Sequence, residues 1–307
     1  MKKEEFYFDS KDGSTKIRAL RFIPEGEVKA ILQISHGMVE FIDRYEGFAT
    51  YLTEQGFLVT GNDHLGHGGS VKDKSDWGYF GKGGYNTVLD DLLELTHITK
   101  ELYPNKPYFL LGHSMGSFLA RLYTIKYGNE LDAAIIMGTG QQTKGMIGAA
   151  KFLTNVVKTF KGERYRSRFL NGLALGSYNK KWEPSDTHCN WLTKDDKVVD
   201  WYYHEPRCHF IFTTNGFYNL FSLIGEIIDK NNIEKMPKDL PILVISGEDD
   251  PVGNFGKDPK ALADIYKEVG IKDVELKLYP NDRHEILNEL DKDTVYKDIS
   301  DWLNNHI

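Results

Sequence analysis

The 307-residue chain is 40% hydrophobic and 27% charged, the balance of a globular protein able to bury a sizeable core. Its formal net charge of −7 argues against a nucleic-acid partner, since phosphate binding needs a basic face. Two cysteines, Cys189 and Cys208, are too few for a disulfide framework and fit a reducing compartment.

The opening MKKEEFYFDS lacks the apolar stretch of a signal peptide, so a cytoplasmic location is the expectation. Phe6–Asp9 and Lys16–Ile23 read as a hairpin closed by Lys11-Asp12-Gly13-Ser14. Ala30–Ile34 is an apolar strand followed by a glycine-containing loop. Apolar residues at helical spacing (Phe48, Ala49, Leu52) predict a helix over Tyr45–Gln55, stopped by Gly56. Phe57–Thr60 is a short strand, and Leu89, Leu92, Leu93 and Leu95 mark a helix ending before Pro104. Phe109–Leu111 and Ala133–Met137 are strands separated by a helix after Ser114. From Gln141 to about Lys235 the rhythm breaks into helical or irregular pieces rich in aromatics. It then resumes with strands at Pro241–Ser246 and Val274–Leu278 and helices at Asp258–Val269 and Asp293–Asn304. No run approaches the roughly 18 apolar residues of a membrane helix.

Strands alternating with helices imply an α/β fold: a mostly parallel sheet with helices on both faces. Residues 1–140 and 236–307 form the expected core, and 141–235 an inserted cap over the carboxyl end of the sheet, where open α/β sheets bind ligands.

The chemistry gathers at three places. Leu110–Ser117, LLGHSMGS, puts a serine between two glycines directly after an apolar strand. A strand that reverses at once into a helix strains the corner residue and needs neighbours without bulk, so Gly112-His113-Ser114-Met115-Gly116 matches the nucleophile elbow G-x-S-x-G. A serine hydroxyl needs an adjacent base held by an acid. The two late strands supply both, one running into Gly247-Glu248-Asp249-Asp250-Pro251-Val252, the other into Asp282-Arg283-His284-Glu285. Either Asp249 or Asp250 satisfies that pattern.

The chain resembles α/β-hydrolases of the monoacylglycerol lipase and lysophospholipase group. The resemblance rests on His36-Gly37-Met38-Val39-Glu40 with Arg44-Tyr45, on Asp63-His64-Leu65-Gly66-His67-Gly68 with Ser70, on the elbow, on Gly247 with Asp250-Pro251-Val252, and on Arg283-His284-Glu285. Phe41 departs from it, since many members carry histidine there. The resemblance implies Ser114 as nucleophile, His284 as base and Asp250 as the acid that orients it. It also implies an oxyanion hole of the Met38 and Met115 backbone N–H groups, with Gly37, Gly112, His113 and Gly116 as loop and elbow support. The implied substrate is the acyl ester of a monoacylglycerol or lysophospholipid-like molecule, cleaved through an acyl-enzyme with no cofactor and no metal.

Other conspicuous residues read as structural. His64 and His67 lack a third clustered ligand and brace loops; His36 and His113 hold loops beside the site. His188-Cys189 and Cys208-His209 lack the paired spacing of a zinc site and are expected to be free thiols. Lys158, Lys161, Arg164, Arg166, Arg168, Lys180 and Lys181 form a basic stretch, either a solvated surface or a means of peripheral membrane contact through the cap. Trp191, Trp201, Tyr202, Tyr203, Phe210, Phe212, Phe217 and Phe221 are expected to divide between packing the cap and walling an acyl tunnel. Rival functions on the same fold are a short-chain carboxylesterase and a serine aminopeptidase or acyltransferase. An aminopeptidase would need a cap carboxylate for the substrate amine, with Glu183, Asp186 and Glu205 available. A non-enzymatic receptor is the remaining alternative. The sequence leaves the oligomeric state open.

Overall fold

The computed structural model describes residues 1–182 and 186–307. Among them, β1 (Lys2–Asp9), β2 (Lys16–Ile23), β3 (Ala30–Ser35), α1 (Glu46–Glu54), β4 (Phe57–Asn62), α2 (Tyr85–Leu102), β5 (Tyr108–His113), α3 (Met115–Tyr127) and β6 (Ala133–Met137) form the first half. Helices α4 (Lys144–Lys161), α5 (Arg168–Leu175), α6 (Asp196–His204), α7 (Thr214–Ile227) and α8 (Lys230–Ile233) follow, all before the next strand. The chain closes with β7 (Ile242–Gly247), α9 (Lys257–Glu268), β8 (Val274–Tyr279) and α10 (Lys292–Asn304).

The strands form one sheet in the order β1-β2-β4-β3-β5-β6-β7-β8. β2 runs antiparallel to β1 and β4, and every other pairing is parallel. This is the α/β architecture expected from the alternating pattern. The central strands β3, β4, β5, β6 and β7 are buried along their whole length, as a parallel sheet covered on both faces requires. One hydrophobic cluster packs α2, α3, α7 and α9 against one face. A second packs α1 and α10 against the other. All parallel strands point their carboxyl ends the same way, so the loops after β3, β5, β7 and β8 meet at one edge.

Helix α7 lies within the first cluster, through Phe217, Leu220, Phe221, Leu223, Ile224 and Ile227. Arg121 of α3, 1% exposed, ties the exit from β6 to the end of α7. It donates to Gly140 O (2.9 Å) and Gln141 Oε1 (2.8 Å) at the exit from β6, and to Ile227 O (3.2 Å) at the end of α7. No helix among the described residues is long and apolar enough to cross a membrane.

The β1–β2 turn is tied to α2 by a buried carboxylate. Asp91, 0% exposed, accepts from Ser10 Oγ (2.8 Å) and Lys11 N (2.7 Å), and burial pushes its carboxyl up to about 7. A folded-state value above the unfolded one favours folding fully below about 3.8, and that contribution is lost as pH rises through about 7. Asp91→Asn cannot ionise and keeps the acceptor for Lys11 N. Between pH 5 and 7.5 its stability should therefore gain on the wild type by about 1–3 kcal/mol, read from urea unfolding at each pH. A difference independent of pH would contradict this.

Candidate active site

The elbow is built as its spacing demands. β5 ends at His113, α3 starts at Met115, and Ser114 between them adopts φ 54°, ψ −119°. That positive φ is costly for a side chain with a Cβ and is held by the packed strand and helix around it. The flanking glycines are needed for close approach. A Cβ on Gly116 would lie 1.9 Å from Ser35 O, and one on Gly112 2.3 Å from Gly116 O.

His284, on the loop after β8, presents Nδ1 to Asp250 Oδ2 at 3.0 Å. Asp250 is 0% exposed and also accepts from Val252 N (2.8 Å) and Ser246 Oγ (3.2 Å). Asp249, which the sequence pattern left as an alternative, turns away and accepts from Lys181 Nζ at 2.6 Å. Ser114 and His284 line one cavity of about 450 Å³ together with Gly37, Met38 and Met115. Among the described residues neither the Met38 nor the Met115 backbone N–H is engaged in a hydrogen bond. Met115 is the first residue of α3, where backbone donors lack intrahelical partners.

Beneath the cavity lies a charged cluster whose members the sequence displayed without revealing their role. Arg44 donates to Glu40 Oε2 at 2.8 Å and grips Glu285 with two bonds of 2.7 Å. Glu40 Oε1 accepts from Gly37 N, from Tyr45 OH (2.9 Å) and from His113 Nδ1 (3.2 Å). His113 Nε2 reaches His284 O at 3.3 Å. Burial alone would raise the Glu40 carboxyl, yet the His113 hydrogen bond and the Arg44 charge hold it well below the usual carboxylate range. Burial likewise opposes a charged His113, and the Glu40 carboxylate overrides it and raises the imidazole. The i,i+4 spacing of Glu40 and Arg44 and the adjacency of Glu285 to His284 were the available signals.

Other residues resolve as follows. A third histidine, which the sequence pattern lacked, does join His64 and His67: the His36 ring centroid is 4.1 and 5.3 Å from theirs. Its Nδ1 meets Gly37 O and its Nε2 accepts from His64 N, so both nitrogens serve the loop backbone. Phe41 is buried and seats the Arg207 guanidinium 3.7 Å from its ring centre. Cys189 and Cys208 are free thiols. The cavity walls are mostly aliphatic, from Met146, Ile147, Ala149, Ala150 and Leu153 of α4, Leu173 and Ala174 of α5, and Leu220 and Ile224 of α7. Of the eight aromatics expected to share this work only Trp191, Tyr202 and Phe221 line it. Phe210 and Phe212 instead pack against His67, Trp77 and Phe80, away from the cavity. Of the carboxylates considered for an amine anchor, Glu205 is paired with Arg207 at 2.7 Å, Asp186 does not line the cavity, and Glu183 lies outside the described residues.

Residues 26–291 match the family described as serine aminopeptidase, S33. The chain belongs to that family of α/β-hydrolases. It is 26% identical over 293 residues to a monoacylglycerol lipase of Mycolicibacterium smegmatis, covering 92% of this chain and 91% of that one. To the human monoglyceride lipase it is 28% identical over 294 residues, covering 91% and 84%. Among solved structures, a thermostable carboxyl esterase from Bacillus coagulans in complex with glycerol superposes with a TM-score of 0.92 at 31% identity, over 99% of both chains. The alignments span 84% or more of each of these hydrolases.

Removing the cation from the buried cluster should be severe, because Glu285 would then lie buried without a cation and Glu40 would keep only His113 as one. Arg44→Leu should lose about 3–5 kcal/mol in denaturant unfolding at pH 7. Glu40 and Glu285 both sit below their ordinary 4.5, so their contribution is present above that value and fades as pH falls through the folded values. The penalty of Arg44→Leu should therefore shrink at acid pH. A penalty under about 1 kcal/mol at pH 7 would show that the cluster is not a source of stability.

Proposed function

We propose that this hydrolase is a serine esterase that cleaves the acyl ester of a monoacylglycerol-type lipid through an acyl-enzyme intermediate, with residues 141–235 acting as a cap. The observation that carries the reading is the Asp250–His284 pair opening with Ser114 onto a cavity that is polar at that end and aliphatic beyond it. In this reading Ser114 Oγ attacks the ester carbonyl carbon while His284 Nε2 takes its proton. The oxyanion forms against the N–H groups of Met38 and Met115, and each such donor lowers the barrier by about 3 kcal/mol. The carbonyl reforms, the C–O bond to the alcohol breaks, and His284 returns the proton to the leaving oxygen. Water then repeats the sequence on the acyl-enzyme and releases the fatty acid. Two neighbours in kind support the substrate class: the relatives named as monoacylglycerol lipases, and the esterase holding glycerol.

Among the described residues an amide substrate finds no free amine anchor in the lining, since the two carboxylates there, Glu40 and Glu285, are both held by Arg44, and Glu40 by His113 as well. The ester reading is the stronger.

Helices α4 and α5 carry a second surface. Phe152, Phe160 and Phe169 are 68%, 81% and 61% exposed, beside Lys161 and Arg168, while other residues of the same two helices wall the cavity. Exposed phenylalanines rimmed by cations suit an anionic lipid surface. Such contact would bring the cavity to the substrate's own phase.

The decisive experiment follows hydrolysis of glycerol monoesters from acetyl upward. Ser114→Ala and His284→Ala should abolish it, and Asp250→Asn should cost several orders of magnitude while Asp249→Asn costs little. kcat/KM should climb with acyl length, each methylene adding at most ~0.8 kcal/mol, until the cavity is full. A flat or falling profile would leave a short-chain carboxylesterase.

The membrane contact is read separately by sedimentation with vesicles. Wild type should pellet with phosphatidylglycerol-containing vesicles more than with neutral ones, and Phe152→Ser/Phe160→Ser should remain in the supernatant. Equal pelleting of the variant would exclude this surface.

A further inference from the structure

The segment 190–194, which belongs to the insertion, is laced to the loop that carries His284. Glu285 N donates to Leu192 O at 2.7 Å, His284 N to Trp191 O at 3.4 Å, and Arg283 Nη1 to Asn190 O at 2.5 Å and Thr193 O at 3.0 Å. Thr193 Oγ1 donates to Glu289 Oε2 (3.0 Å), and Lys194 Nζ to Asp282 Oδ1 (2.6 Å). These contacts fix Trp191 over the base. Its indole lies 5.0 Å from the His284 imidazole, centre to centre, at an interplanar angle of 38°. Tyr178 backs the indole at 5.1 Å, and His113 lies 4.7 Å from the same imidazole.

We propose that Trp191 is a positioning residue for the base: its indole holds the imidazole of His284 in the orientation set by Asp250 and stabilises it when it carries the proton. The inference rests on the reading of His284 as the general base. An imidazole anchored at Nδ1 alone can still swing about that hydrogen bond, and a packed aromatic face removes the freedom. When the ring takes the Ser114 proton it becomes a cation, which an indole face attracts through its quadrupole. Both effects are exerted at the step where charge develops, so they act on kcat. They also make the insertion part of the reaction apparatus, through one short segment rather than through its lid-like helices.

Trp191 lines the cavity as well, so two roles must be told apart. A wall residue acts through the acyl chain, and its loss grows with chain length and falls on KM. A positioning residue acts on the base, whatever the acyl group. The experiment measures kcat and KM for Trp191→Leu and Trp191→Phe on glycerol monoacetate and on a long-chain glycerol monoester, with Ser114→Ala as control. Trp191→Leu should lower kcat about tenfold or more, by the same factor for both esters, with KM changed less than about threefold. Trp191→Phe, which keeps an aromatic face, should recover most of the rate. A loss confined to the long ester, a change in KM alone, or an unchanged kcat would overturn the proposal while leaving the serine mechanism standing. Hydrolysis that persisted in Ser114→Ala would instead overturn the mechanism and this inference with it. Circular dichroism checks the folding of each variant; should Trp191→Leu unfold, Trp191→Met replaces it on the same criteria.

Discussion

Arg44 lies between two carboxylates with its side chain only 3% exposed, 2.8 Å from Glu40 and 2.7 Å from Glu285. Three loops from separate parts of the chain meet through it. Glu40 holds Gly37 N and so the loop of the proposed oxyanion donor Met38. Through His113 it touches the elbow and the His284 carbonyl. Glu285 immediately follows His284. A buried charge left without partners is costly, so each member of the cluster enforces the position of the others. The Arg44 guanidinium also faces the Tyr202 ring, whose hydroxyl donates to Val39 O at 3.0 Å, so α6 is bound into the same arrangement.

The sheet explains why these loops can meet at all. Parallel strands leave their carboxyl ends along one edge, and the elbow, the Asp250 loop and the His284 loop leave β5, β7 and β8 there. β6 separates the first from the others in the sheet, and it is β6 that leads into helices α4 to α8. The segment between β6 and β7 thus starts from the middle of the site. Arg121 of α3, the helix that begins beside Ser114, ties that start to the end of α7.

The segment between β6 and β7 uses its surfaces for different purposes. α7 packs with the core, α4 and α5 wall the cavity and also expose phenylalanines, and residues 190–194 grip the His284 loop.

Local pattern sufficed wherever a residue's role follows from its neighbours in sequence. The alternation of strands and helices marked the α/β core, and the two glycines around Ser114 marked a turn that no bulkier pair could make. The order of serine, acid and histidine after successive strands located the loops that converge. The strand-and-loop pattern alone left Asp249 and Asp250 open and only the family resemblance implied Asp250, because the choice depends on which carboxylate faces an imidazole 34 residues further on. Nor could it find the third histidine of the His36 group, since His36 and His64 lie 28 positions apart and meet only where β3 and β4 pair. The aromatics between β6 and β7 were legible as a cluster, while the division between those at the cavity and those away from it was decided by packing against His67, Trp77 and Phe80. Trp191 beside His284 belongs to the same class. Periodicity reports which face of an element is buried, whereas contacts between distant segments arise only when the chain closes on itself.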